Sequence, residues 1–486
     1  MLHIPILRNG QPYTSVDKVT LVHHATGEPM AEVSQANSGM VARDIRRMNH
    51  EALEDLTIAQ LLEMCKKAAC LFATEELPLG TERQSFDDYL AQVSGTTGMP
   101  VTYCRRNAEK IHKVLDEMEM ILRGLAHGFD LSILDKGYGT SGGPGTPGLS
   151  YYRRGRLLGA VLPSNSPGVH GLWIPAIALK TPLVLKPGRE EPWTPCRIIQ
   201  ALIAAGMPRA AFGFYPTDHA GAAEILRLAP RSMLFGDSTT TRPWQSDPRV
   251  EIHGPGESKI VLGSDCAGEA GSLSRCAGDW ESGLDVMVSS IAGNAGRSCI
   301  NASAVFTPTH GEQIAHALAE RLSKVQALPA DDPQAEVAGF ANAAAAERIS
   351  GMIDSALAGG AGRDLTAEMR GSSRLVKLGR VAYLLPTIIW ADRQADSAAL
   401  REFPFPYATV VECPQADIPQ AIGPSLVVTA LTRDSDFIQQ LMNSPNVDRL
   451  NIGPIPTWQI SWDQPHEGNL FEHLYRRRAF QIDPAA

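Results

Sequence analysis

The stretch over residues 157–236 constrains the fold of this chain more than any other. Four short apolar runs, at 157–163, 182–187, 211–215 and 232–236, alternate with helical patterns. The first of those patterns predicts one long apolar helix through Trp173, Ile174, Ala176, Ile177 and Ala178; the others fall near 195–205 and 219–228. Strands apolar on both faces and joined by helices predict a parallel sheet covered on both sides. Such a sheet takes ligands in the crevice outside the carboxyl ends of its strands, where Asn165, Lys186 and Gly236 fall. That crevice is where a nucleotide belongs.

The rest of the chain is organised around this unit. Residues 1–40 read as short strands, among them Val19-Thr20-Leu21-Val22, with a turn at Thr26-Gly27-Glu28-Pro29. From 41 to 128 the apolar residues repeat at helical spacing, and these helices carry no evident chemistry. The glycine-rich run 136–149 lacks a Walker lysine–hydroxyl pair and reads as an excursion between elements. A second α/β pattern starts near Ile260, with an Ala-rich helical region over 312–358 and strands at 383–390, 408–411 and 425–431. At 486 residues the chain is too long for one ordinary core.

Composition narrows the function. With 53 acidic against 44 basic side chains and a net charge of -9, nothing invites nucleic acid. The one basic run, Arg476-Arg477-Arg478, reads as a solvated or subunit-contact face. Eight cysteines without CxxC or other metal-ligand spacing predict reduced thiols and no metal site. No apolar run approaches the roughly 18 residues of a membrane span, and the first residues lack the pattern of a signal peptide. The expectation is a soluble cytoplasmic protein.

One cysteine stands apart. Gly293-Asn294-Ala295-Gly296-Arg297-Ser298-Cys299 sets a thiol behind a small-residue turn, which leaves room for a substrate to approach. An isolated cysteine is equally suited to a buried apolar position, so the segment by itself leaves both roles open.

Taken in order, the motifs resemble those of the aldehyde dehydrogenase superfamily. Pro163-Ser164-Asn165-Ser166-Pro167 stands where that family has Pro-Trp-Asn-Phe-Pro, with Trp173 on a common tryptophan of the following helix. Leu185-Lys186-Pro187 and Ala205-Gly206-Met207-Pro208 match Leu-Lys-Pro and Ala-Gly-Leu-Pro. Residues 294–299 match Asn-x-Gly-Gln-x-Cys, with Arg297 replacing the glutamine. Pro386-Thr387 and Glu402-Phe403-Pro404-Phe405-Pro406 match further motifs, with Pro404 a departure.

The resemblance implies two Rossmann-like parallel-sheet α/β domains and a small oligomerisation segment. Residues 1–130 and 151–259 would bind a dinucleotide and 260–445 carry the nucleophile, while 131–150 and 446–486 bridge subunits of a homodimer or homotetramer. It further implies an NAD- or NADP-dependent oxidation of an aldehyde. Cys299 would be the nucleophile and Asn165 an oxyanion donor, with Lys186 and Glu402 on the two riboses and Pro163, Ser164, Gly236 and Ser238 along the cofactor. His170 and Trp173 would line the substrate tunnel.

Three departures qualify this. The family's glutamate that activates water aligns with His253, which is either a base in its own right or a structural residue. Water, with a pKa of about 15.7, needs a base to attack a thioester, whereas a thiol of pKa about 8.5 scarcely does. Coenzyme A is therefore an alternative acyl acceptor. Gly188-Arg189 replaces the family's Ser-Glu, and a guanidinium there can face a 2′-phosphate, which brings NADP beside NAD. Asp237 stands where a pyrophosphate would be repelled, and so a non-catalytic member of the fold is a third reading.

Overall fold

The apolar runs form the strands Leu158–Val161, Leu183–Lys186, Phe212–Phe214 and Arg231–Phe235, in which every residue but Lys186 is buried. In this computed structural model, residues 1–140, 148–266, 280–391 and 400–481 are described. With Val250–His253 the four strands make a five-stranded parallel array, in the order Val250–His253, Arg231–Phe235, Leu158–Val161, Leu183–Lys186, Phe212–Phe214. Ile6–Arg8 and Gln11–Tyr13 extend it antiparallel at one edge. After Leu158–Val161 the chain adds two strands on one side and then two on the other. The order therefore reverses between Leu158–Val161 and Arg231–Phe235, and a crevice opens at their carboxyl ends.

The expected long helix after Pro163 is instead a 3-10 turn, Pro167–Leu172, followed by a four-residue helix, Pro175–Ala178. Pro175 has no N–H to bond one turn back. Gly171 is packed so closely on Trp462 that a Cβ would lie 2.5 Å from its ring. Gly188 makes a similar approach, since a Cβ there would sit 2.4 Å from the Pro163 carbonyl oxygen and the Ser164 hydroxyl. Two strand ends are thereby pressed together.

A second seven-stranded sheet runs Arg363–Asp364, Thr387–Ala391, Tyr407–Glu412, Ala302–Thr307, Ser258–Leu262, Ser425–Leu431, Val447–Ile452, and only Arg363–Asp364 is antiparallel. The expected boundaries shift accordingly. The first sheet ends at His253 and the second begins at Ser258, so the divide lies at 254–257 and not after 259. Val447–Ile452 belongs to the second sheet, not to a bridging segment. The strand expected over 383–390 splits at Pro386: Val381–Leu384 pairs in a separate hairpin and Thr387–Ala391 joins the sheet. The Ala-rich region is two helices, Gly311–Leu322 and Ala343–Ala358, separated by a stretch holding Pro329 and Pro333.

The helical N-terminal region contains Ser38–Arg47, Ile58–Thr74, Phe86–Thr97, Val101–Asp116 and Met118–Leu125, interrupted by a hairpin of Leu77–Leu79 and Glu82–Gln84. Helix Phe86–Thr97 starts on a reciprocal Ser85–Asp88 capping box and stops at Gly98, which takes the left-handed conformation. The glycine-rich excursion is flanked by paired strands, Tyr138–Thr140 and Gly148–Arg153, while 141–147 lie outside the described residues. Tyr475–Arg478 adds to this pair as the outer strand, with Arg476, Arg477 and Arg478 exposed. Among the described residues no helix is long and apolar enough to cross a membrane.

Candidate active site

The turn before Cys299 holds the longest run of left-handed residues among those described. Asn294, Ala295 and Gly296 all lie in the left-handed region, at φ 54°, 57° and 68°. A residue with a Cβ costs roughly 1–2 kcal/mol there, so the surroundings must hold the turn in place. Asn294 accepts a hydrogen bond from the Asn107 amide at 2.7 Å and donates to the Ser166 and Ser298 hydroxyls at 3.1 and 2.8 Å. Asn301 accepts from the Ser298 N–H at 2.8 Å and donates to the carbonyls of Ser290 and Gly293. Arg297 is buried and donates to the carbonyls of Thr97 and Gly339, both at 2.7 Å. Burial pushes its pKa down to about 10. The guanidinium that replaces the family's glutamine is thus a brace for the turn.

Two cavities meet at this cysteine. One is walled mainly by apolar groups, including Val169, Leu172, Ile300, Ile460 and Trp462. The other is a cleft at the switch point of the first sheet, walled by Pro163, Ser164, Phe235, Gly236, Asp237 and His253, with Glu402 and Glu467 facing them. Cys299, Asn165 and Val169 line both. Burial raises the Cys299 thiol pKa well above its ordinary value, and the nearby Glu467 and Glu402 carboxylates add to the shift. The resting thiol is therefore protonated and needs a base. The Asn165 amide donates to the Arg297 carbonyl at 2.9 Å, which fixes it beside the nucleophile's turn.

His253 ends its strand buried and stacked on Phe235, with ring centroids 4.4 Å apart. Its Nδ1 lies 2.6 Å from a Glu467 carboxylate oxygen and its Nε2 lies 3.5 Å from Glu251, both poorly aligned for hydrogen bonds. Burial alone would lower the His253 pKa, but the two carboxylates, Glu467 foremost, outweigh it and the net shift is upward. His253 is thus packed between two carboxyl groups. Glu467 then presents a carboxylate to the cavity that contains Cys299.

Glu402 accepts from the N–H groups of Gly256 and Glu257 at 2.8 and 2.9 Å, and burial pushes its pKa up to about 7. Asp237 caps a short helix by accepting from the Thr240 N–H and the Thr239 hydroxyl, which hold its pKa low. Its charge is turned onto its own helix. Ser238 opens that helix and does not line the cleft. Lys186 and Arg189 line a neighbouring cleft with Gly188, Gln35, Thr217 and His219, on the far side of the Gly188–Pro163 contact. Burial lowers the Lys186 pKa.

His170 and Trp173, expected along the substrate tunnel, line neither cavity. Both are fully buried. The Trp173 indole N–H donates to His170 Nδ1 at 2.9 Å, which leaves Nε2–H to donate to Glu191 at 3.1 Å. Glu191 in turn accepts from the Thr194 N–H in the first turn of helix Trp193–Ala205. A satisfied core network replaces the expected entrance. Among the described residues, no group of three or more His, Cys, Asp or Glu side chains is placed to hold a metal ion.

Residues 269–422 match the model of the Aldehyde dehydrogenase family. Over nearly its full length the chain has that fold: an aldehyde dehydrogenase from Brucella melitensis biovar abortus 2308 superposes with TM-score 0.74, 15% identity, and 99% and 98% of the two chains covered. The family model spans residues 269–422, and the likeness to this structure at 15% identity is one of fold. A 3,6-anhydro-L-galactose dehydrogenase superposes with TM-score 0.76 at 13% identity, covering 99% of this chain and all of the other. The 2-hydroxymuconic semialdehyde dehydrogenase of Pseudomonas sp. (strain CF600) is 26% identical over 276 residues. That match covers 54% of this chain and about half, 53%, of the relative's own length.

Several residues of the site carried no signal in the sequence. Asn107 and Lys110 come from helix Val101–Asp116, in a region whose periodicity pointed to packing alone. Trp462, His466 and Glu467 arrive from beyond the second sheet. The loss of the motif glutamate at 253 pointed to His253 itself or to coenzyme A, and not to Glu467.

Proposed function

We propose that this chain oxidises an aldehyde with NAD or NADP through a thioester on Cys299. The observation that carries the reading is that Cys299, Asn165 and Val169 line both the apolar cavity and the switch-point cleft. A substrate carbon in one can then meet an acceptor in the other. Glu467 takes the thiol proton, and the sulfur attacks the aldehyde carbon to give a thiohemiacetal. The second N–H of the Asn165 amide and the Cys299 N–H stabilise the oxyanion. A nicotinamide dinucleotide held in the switch-point cleft would supply the hydride acceptor, and loss of hydride from that carbon would leave a thioester. Glu467, held by His253 and with the thiol proton released to solvent, then removes a proton from water as it attacks and passes it to the departing sulfur, so that the acid leaves with the thiol restored.

The cofactor assignment rests on the two clefts. Lys186 sits on the adenosine ribose side and Arg189 faces a 2′-phosphate, which favours NADP; Pro163, Ser164 and Gly236, which line the switch-point cleft, flank the pyrophosphate, and Ser238 is set aside. Asp237 is no obstacle, because its carboxylate is spent on its own helix cap. Glu402 holds the nicotinamide ribose only by exchanging its bonds to Gly256 and Glu257. Similar structures include a Staphylococcus aureus betaine aldehyde dehydrogenase in complex with NAD+ and an E. coli NADP dependent enzyme. The same reading has the protein work in the cytoplasm, where Cys299 stays reduced. It also has the exposed outer strand Tyr475–Arg478 meet a second copy in a homodimer.

The test is reduced-nicotinamide formation from a panel of aldehydes with NAD and with NADP, each with and without coenzyme A. Turnover without coenzyme A supports hydrolysis by the Glu467–His253 pair. Turnover only with coenzyme A makes that pair a bystander and the chain an acylating enzyme. Cys299→Ala is expected to abolish turnover and keep dinucleotide binding; undiminished oxidation by that variant would remove the central claim.

A further inference from the structure

The apolar cavity contains one charge. Lys110 lies on the same face of helix Val101–Asp116 as Asn107, one turn further on, and both line the cavity with Cys299. While the Asn107 amide is committed to the nucleophile's turn, the Lys110 ammonium has no hydrogen-bond or ion-pair partner among the described residues. Its Nζ stands 5.9 Å from the centre of the Trp458 ring. No Asp or Glu lines this cavity, and its one histidine, His466, is neutral because burial pushes its pKa down to about 4. Val169, Leu172, Ile300, Ile460 and Trp462 make the apolar wall, and Asn165, Ser166 and Ser298 join Asn107 as its neutral polar groups.

Burial lowers the Lys110 pKa, so the site is short of a counter-charge. An unpaired cation partly removed from water is costly unless an anion arrives with the ligand. Glu467 and Glu402 do not supply it, since both face the cleft on the other side of Cys299.

We propose that Lys110 is a specificity-determining residue that binds a carboxylate at the far end of the substrate, so that the aldehyde is an oxo acid, a semialdehyde of a dicarboxylic acid. The inference rests on the reading of Cys299 as the nucleophile and deepens it. One cationic side chain beside a mostly apolar wall suits a monoanion on a carbon chain, whereas a phosphate dianion would leave one of its two charges without a counter-charge. The aldehyde carbon reaches Cys299 while the carboxylate takes the ammonium.

The test compares kcat/KM for ω-oxo carboxylates with that for alkanals of the same chain length, in the parent protein, Lys110→Met and Lys110→Arg. A charge-assisted hydrogen bond of roughly 1.5–3 kcal/mol predicts a preference for the oxo acid of about 10- to 100-fold. The preference should appear mainly in KM. Lys110→Met should bring the ratio of the two substrates close to one, and Lys110→Arg should restore part of it. A parent ratio near one, or a Lys110→Met variant that keeps the parent's ratio, would overturn the assignment. A separate readout does not depend on turnover: an alkanoate should slow alkylation of Cys299 by iodoacetamide in the parent and not in Lys110→Met. If no aldehyde is oxidised but this protection is seen, the oxidative reading fails and the anion site stands; no protection by the alkanoate overturns the site.

Discussion

Gly256→Ala should disable the nucleophile without touching it. Gly256 lies in the loop 254–257 between the two sheets. Its N–H donates to Glu402 at 2.8 Å and its carbonyl accepts from the Leu426 N–H at 2.8 Å, so it is held from two sides. A Cβ there would stand 1.9 Å from the Cys299 carbonyl oxygen and 3.0 Å from a Leu426 methyl. Real Cβ contacts essentially never fall under 3.0 Å, so the loop or the nucleophile's backbone must yield by about 1.1 Å. Its φ is not positive, and the whole effect is therefore steric. Misplacing a reacting group by 1 Å costs on the order of 100-fold, or about 2.7 kcal/mol of transition-state stabilisation. The assay is kcat/KM on the best aldehyde, beside thermal unfolding and the rate of Cys299 alkylation. A kcat/KM within about threefold of the parent at unchanged Tm would refute the claim that this contact sets the nucleophile. Gly351→Ala is the control: that glycine is exposed within helix Ala343–Ala358, with nothing within 4 Å of its would-be Cβ. It should keep full activity and gain about 0.5–1 kcal/mol of stability.

Two other expectations concern stability. Arg297→Met leaves the carbonyls of Thr97 and Gly339 without their donors, at about 1–3 kcal/mol each, and a denaturant midpoint equal to the parent's would show that the brace is dispensable. His466 and His473 have pKa values pushed down to about 4 by burial, below the ordinary value of about 6.5. Because the folded pKa is the lower one, their contribution is present above about pH 6.5 and is lost as pH falls towards 4, by up to about 3 kcal/mol each. Urea midpoints measured down that range should fall steeply, and less steeply in His473→Gln; identical slopes would refute the assignment for His473.

Much of the scaffold was written in local pattern. The buried runs at 158–161, 183–186, 212–214 and 231–235 could satisfy their backbone and bury both faces only in a covered parallel sheet, and the motif residues Asn165, Lys186 and Gly236 followed at its strand ends. The small-residue run before Cys299 is likewise a local feature, but by itself it left both a buried and a reactive role open. Local pattern failed where a proline or a close contact overrode periodicity, at Pro175 and Pro386.

The site's charges were another matter. His170 was read as a tunnel residue because its position in the motif said nothing about Glu191, which completes a core network from 21 residues away. Arg297 had no interpretable role until Thr97 and Gly339 were brought to it, and His253 none until Glu467 was. Lys110 carried no signal on a helix whose apolar spacing pointed to packing alone. A side chain's backbone conformation is set by neighbours in sequence, whereas its charge state and accessible partners are set by whatever the fold packs against it. The sequence by itself determined the sheets and the thiol; tertiary structure alone decided which carboxylate, which cation and which cavity that thiol faces.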